Sequence, residues 1–164
     1  MPLSAASVDA RSENTPPPVS LDGRGETILV VEDDDALRLS LCRTLEHHGY
    51  RVLSAAAGDE ALAMAAAHEG PVELLLSDVV MPRMNGFEVA RALREQHVSS
   101  RAIFITGRFD EALRRSAAYD SSAPMLEKPI DVAVLLASIR KVLDSGKVPS
   151  APRSDRRDAP SPSS

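Results

Sequence analysis

The sequence predicts an α/β protein: a doubly wound, five-stranded parallel sheet with five helices. Two observations carry this reading. Five short β-rich runs alternate with five segments of helical periodicity between about residues 25 and 145. No two-residue turn joins one run directly to the next, as a hairpin would require. Alternation without hairpins means crossover connections, and right-handed crossovers place helices on both faces of a parallel sheet.

TILVV (27–31) is the first strand. DALRLSLCRTLEHHG follows, with Leu37, Leu41 and Leu45 at helical spacing, Asp34 as its candidate cap and Gly49 placed to end it. YRVLSA (50–55) is the second strand, and the Ala-rich DEALAMAAAHEG a helix closing at Gly70. VELLLS (72–77) is the third strand, whose three leucines read as buried on both faces. GFEVARALREQH is the third helix and RAIFIT (101–106) the fourth strand. A fourth helix falls at about 110–119, and PMLEK (124–128) is the fifth strand. DVAVLLASIRKVLD ends the domain with Val132, Leu135, Ile139 and Val142 on one face. Cys42 reads as a core residue of the first helix, and Met81 and Met84 as packing under the turn after the third strand.

The ends differ in composition. Residues 1–24, with their PPP run, and residues 146–164 carry few large apolar side chains. Such segments bury too little surface to offset the entropy of ordering, so both read as disordered tails around one domain at 25–145. Arg153, Arg156 and Arg157, interleaved with Asp155 and Asp158, read as solvated tail. The net charge of −5 and pI near 5.4 speak against nucleic acid or a membrane surface as the main partner. No apolar run approaches the roughly 20 residues that span a bilayer, and the N-terminus lacks a signal peptide's basic flank and apolar centre. The lone Cys42 excludes an intrachain disulfide and a Cys-based zinc cluster. These features fit a cytoplasmic protein.

In open α/β sheets ligands sit beyond the carboxyl ends of the strands. Here those ends carry Glu32, Asp33 and Asp34 after the first strand, Asp78 after the third, Thr106 after the fourth and Lys128 after the fifth. Singly each has a plain reading: Asp34 a helix cap, Thr106 a β-branched strand residue, Lys128 a surface lysine, Asp78 the start of a loop. Together they put acidic groups, a hydroxyl and an ammonium on one sheet edge. Clustered carboxylates raise one another's pKa unless a cation neutralises them, and an all-oxygen set suits a hard cation such as Mg²⁺ (or Mn²⁺). Asp78 is then a candidate nucleophile of the aspartyl-phosphate kind, with Lys128 and Thr106 available to phosphoryl oxygens. His47, His48, His68 and His97 fall at or near helix C-termini, where an imidazolium suits the helix dipole, rather than at a phosphorelay position. No strand-linked glycine-rich loop supports nucleotide binding.

ILVVEDD, LLLSDVVMPRMNG, IFITG and EKP, in that order and spacing, resemble the receiver domain of two-component response regulators over roughly residues 25–145. The resemblance implies a flavodoxin-like sheet of order 2-1-3-4-5. It implies that Asp78 is phosphorylated to 4-aspartylphosphate by a partner histidine kinase. Asp33 would be a direct Mg²⁺ ligand, Glu32 would act through water, and Asp78 and the backbone carbonyl of Val80 would complete the protein's ligands. Thr106 would be the switch hydroxyl, Lys128 the partner of the phosphoryl group, and the Lys128–Pro129 bond cis. Two departures stand out. Met125 occupies the place, three residues before the lysine, where the family commonly has an aromatic switch residue. DSSAP replaces the usual Gly-Ala-rich turn before the fifth strand.

The resulting expectation is a stand-alone response regulator, a phosphoacceptor rather than an enzyme, which assists its own Mg²⁺-dependent phosphorylation and dephosphorylation. It would take phosphate from a histidine kinase or histidine phosphotransfer protein and dock to an unidentified downstream protein. The alternative is a phosphate-independent adaptor or a phosphate sink on the same fold; Glu32, Asp33, Asp78, Thr106 and Lys128, all present, weigh against the adaptor. An aspartate-nucleophile phosphatase would need a second Asp where Val80 stands.

Overall fold

The computed structural model describes residues 20–99, 101–107, 115 and 122–145. In it the elements run β1 (Thr27–Val31), α1 (Asp35–His47), β2 (Arg51–Ala55), α2 (Gly58–Ala67), β3 (Leu74–Asp78), α3 (Gly86–Glu95), β4 (Ala102–Thr106), β5 (Met125–Glu127) and α4 (Val132–Ser145). The strands pair in parallel in the order β2-β1-β3-β4-β5, as expected. Four helices are thus described where five were expected. The segment expected to be helical at about 110–119 lies outside the described residues except Arg115, as do residues 1–19 and 146–164 of the two segments read as tails.

The period-2 geometry of a strand explains why the central runs are apolar throughout. Leu29 and Val31 of β1, with Leu75 and Phe104, join a core that α2 and α3 close with Ala61, Ala65, Phe87, Val89 and Leu93. Ile28, Val30, Leu74, Leu76, Ile103 and Ile105 point the other way and pack against Leu41 and Leu45 of α1 and Leu135, Leu136, Ile139 and Leu143 of α4. Each fully buried aliphatic or aromatic side chain contributes about 1.5–3 kcal/mol relative to exposure. Phe87 and Phe104 meet edge to face, 4.8 Å apart. Cys42 is half-buried against the second core, while Met81 is buried in the first and Met84 packs on it, as expected. The inner stripe of α4 differs from the expected one. Val132 lies in the first turn and is 46% exposed, and Leu136, Arg140 and Leu143 are buried instead.

Helix ends follow local chemistry. Asp34 caps α1 by accepting from the Leu37 N–H at 3.1 Å, and Gly49 (φ +90°) reverses the chain after it. Asn85 and Glu88 form a reciprocal capping box that starts α3. Asp131 accepts from the N–H groups of Ala133 and Val134 at the start of α4.

At the amino edge of the sheet, buried Arg140 donates to Asp144 (2.8 Å), Glu26 (3.0 Å), Tyr50 Oη (3.2 Å) and the Asp22 carbonyl (3.3 Å). The Asp144 hydrogen bond outweighs burial and, with Glu26 and Tyr50, holds the guanidinium above its ordinary pKa. Residues just before β1, inside the segment read as the N-terminal tail, join this network. Gly23 N–H donates to the His48 carbonyl at 2.6 Å, and Asp22 lies 3.1 Å from His48 Nδ1. A Cβ on Gly23 would stand 2.6 Å from the Tyr50 ring, so glycine lets the chain cross its face.

Candidate functional site

The carboxyl ends of β1, β3, β4 and β5 meet at one edge. Glu32 follows β1 and is 1% exposed; Asp78 ends β3 and is 5% exposed; Asp33 beside them is open to solvent. Carboxylate oxygens of Glu32, Asp33 and Asp78 lie within 4.8 Å of one another. Lys128, just past β5, places Nζ 3.1 Å from Glu32 Oε2 and 3.2 Å from Asp78 Oδ2. Thr106 is buried at the end of β4, one residue beyond Ile105, which is the sheet partner of Asp78. The Lys128 N–H donates to the Thr106 carbonyl at 2.9 Å, and the Lys128–Pro129 bond is cis. Three strand ends thus supply one ammonium and three carboxylates, and the fourth carries Thr106.

The loop after β3 is shaped to serve Asp78. The Val80 N–H faces Asp78 Oδ1 at 3.4 Å, and the Val80 side chain is exposed. Gly86 N–H donates to the Val79 carbonyl at 2.9 Å, folding the Met-Pro-Arg-Met-Asn turn back onto the strand. A Cβ on Gly86 would overlap the Asp78 carbonyl oxygen, so only glycine lets α3 start this close to the strand end. Met125 opens β5 half-buried against the core that holds its sheet neighbour Phe104.

The electrostatics show what the pocket lacks. Burial, reinforced by the Asp78 charge, pushes Glu32 up to about 7, although the Asp34 N–H and Lys128 oppose the rise. Burial also pushes Lys128 down, but the Glu32 and Asp78 carboxylates outweigh it and hold the ammonium above its ordinary value. Glu32 Oε1 accepts from the Asp34 N–H at 3.1 Å. Glu32 Oε2 is buried, with the Lys128 ammonium 3.1 Å away as its charge partner. Three carboxylates that share one ammonium leave excess negative charge on an all-oxygen donor set, which fits a hard divalent cation such as Mg²⁺ or Mn²⁺.

A family profile described as response regulator receiver domain matches residues 28–140. The chain belongs to that family. The receiver is 38% identical over 116 residues to the response regulator receiver protein CpdR of Brucella abortus, covering 71% of this chain and 95% of that one. It is 35% identical over 139 residues to the sensor kinase CckA of the same organism, covering 85% of this chain but 15% of the kinase. Likewise it spans 51% of the response regulator MprA of Mycobacterium ulcerans, at 43% identity over 122 residues. Among solved structures, the chemotaxis protein CheY4 of Vibrio cholerae superposes with a TM-score of 0.65 at 30% identity, covering 73% of this chain and 99% of that one.

The structure brings together Glu32, Asp33, Asp78 and Lys128, sets Thr106 on the adjoining strand end and turns Asp34 to helix capping. Sequence reasoning missed Arg38. Its guanidinium donates to the Glu32 carbonyl at 2.8 Å and to Asp35 at 2.7 Å. The only advance signal was an arginine one turn into α1, indistinguishable there from a surface charge.

Proposed function

We propose that this receiver accepts a phosphoryl group on Asp78 from a histidine kinase or histidine phosphotransfer protein, and passes the signal on by docking to a protein partner. The observation that carries this reading is Lys128 Nζ within 3.2 Å of Asp78 and 3.1 Å of Glu32, at the mouth of a three-carboxylate cluster. An oxygen of Asp78 forms the bond to phosphorus as the phosphorus–nitrogen bond of a donor phosphohistidine breaks, the bonding pair leaving with the imidazole. Water later cleaves the acyl phosphate to carboxylate and inorganic phosphate.

Asp33, Asp78 and the Val80 carbonyl would hold Mg²⁺ or Mn²⁺ directly, and Glu32 through water. Bound there, the cation would neutralise the carboxylates and the oxygens of the incoming phosphoryl group. Lys128 supplies a fixed positive charge to the phosphoryl oxygens, and Thr106 a hydroxyl that can turn toward the new anion.

Incubation with labelled acetyl phosphate and Mg²⁺ tests the reading. Wild type should take up label and Asp78→Asn should not, with its amide-exchange pattern unchanged. Equal labelling of the two would overturn the assignment, and no labelling of either would favour a phosphate-independent adaptor.

A further inference from the structure

Among the described residues, Arg38 is the one cation besides Lys128 in contact with the Glu32–Asp35 segment, and its placement looks unfavourable on charge alone. It sits near the N-terminus of α1, where the helix dipole disfavours a cation. It also stands beside a cluster whose negative charge would draw in a metal. Its ion pair with Asp35 does little to explain the cost, because the Asp35 side chain is 86% exposed. What distinguishes Arg38 is the other half of its fork, a 2.8 Å hydrogen bond to the Glu32 carbonyl, where the backbone leaves β1. The Asp34 N–H meanwhile holds Glu32 Oε1, and the Asp34 carboxylate caps the same helix. Arg38 thus holds the Glu32 carbonyl while the Asp34 N–H holds the Glu32 side chain, so the backbone that carries Glu32 and Asp33 is tied to the first turn of α1.

We propose that Arg38 is a positioning residue for the cation pocket, fixing the Glu32–Asp33 backbone so that both carboxylates face Asp78. This rests on the metal reading above. Charge and positioning predict opposite signs. Removing a nearby cation tightens metal binding if charge is all that matters, and weakens it if the cation holds the ligands in place. Loss of such an outer hydrogen bond typically costs about 10-fold or more in metal affinity.

The test is Mn²⁺ titration of the full chain, read from the spin-resonance signal of free Mn²⁺, for wild type, Arg38→Met, Arg38→Lys and Asp33→Asn. Amide exchange in β3 reports the fold. Arg38→Met should bind about 10-fold more weakly, with faster exchange of the Asp34 amide. Arg38→Lys, which keeps one donor, should recover most of the affinity. If Arg38→Met does not fold, Arg38→Gln, too short to reach the Glu32 carbonyl, takes its place with the same expectation. Binding by the Met or Gln variant that equals or exceeds wild type overturns the proposal while leaving the metal reading intact. Asp33→Asn binding as wild type does overturns the metal reading and this proposal with it.

Discussion

Glu32 should make the metal-free protein less stable as the pH rises. In the unfolded chain its carboxyl titrates near the ordinary 4.5, whereas in the fold burial and the Asp78 charge push it up to about 7. Between those values the folded state holds one more proton than the unfolded state, so unfolding free energy falls with rising pH across that window. Below 4.5 the group contributes no penalty, and above about 7 the penalty is complete. At about 1.4 kcal/mol per pH unit the change amounts to roughly 3 kcal/mol, an upper figure because Lys128 and water can relax around the charge. The assay is urea denaturation from pH 5 to pH 8 in chelator, for wild type and Glu32→Gln, whose difference isolates Glu32 and the groups coupled to it. Wild type should lose stability relative to Glu32→Gln as the pH rises. Saturating Mg²⁺ should abolish the trend, because the ion binds the deprotonated pocket, and apparent Mg²⁺ affinity should rise with pH up to about 7. Parallel stability profiles for the two proteins in chelator would refute the reasoning.

Gly86→Ala should destabilise the fold by about 1–3 kcal/mol, since the added Cβ meets the Asp78 backbone rather than a movable side chain, and should slow phosphorylation as Asp78 shifts; an unfolding midpoint equal to wild type would contradict this. Deleting residues 1–19 should leave the melting temperature nearly unchanged, whereas deleting 1–25 should lower it by several degrees by removing the Asp22 and Gly23 contacts around Arg140 and Tyr50; equal melting temperatures would show the contacts to be dispensable. Met125 should make a soft switch, because a flexible thioether can follow Thr106 without one preferred ring orientation. A beryllium fluoride mimic should then give averaged Met125 methyl shifts, and two sharp, fully exchanged states would show instead the roughly 5.5 kcal/mol bias of a complete switch.

Much of the fold was legible because the sheet is parallel and covered on both faces. Strands such as LLLSD open on an apolar run and are buried on both sides, and the connections between them are too long for hairpins. The site was legible for the same reason: a strand's last residue must lie at the sheet edge, so Glu32, Asp78, Thr106 and Lys128 could be placed together before any distance was known. Contacts made by backbone carbonyls were not legible. Arg38 bonds the Glu32 carbonyl and Arg140 the Asp22 carbonyl, and every residue carries such an acceptor, so residue type gives no sign of either. Helical periodicity placed Ile139 inside α4, yet the arginine next to it is buried because Glu26 and Tyr50 arrive from elsewhere in the chain to join Asp144, one turn further along the same helix. The Val132 error has a similar cause: periodicity gives the face of a helix but not where along its length the cover ends.

The central claim is that Asp78 carries the phosphoryl group, and chemical mapping of the acyl phosphate tests it most directly. After phosphorylation by acetyl phosphate in Mg²⁺, borohydride reduces an aspartyl phosphate to homoserine, and mass spectrometry of the digested chain locates the change. The account predicts homoserine at position 78 in the phosphorylated wild type and none in the untreated protein. Homoserine at Asp33 or another carboxylate, with Asp78 unchanged, would contradict it.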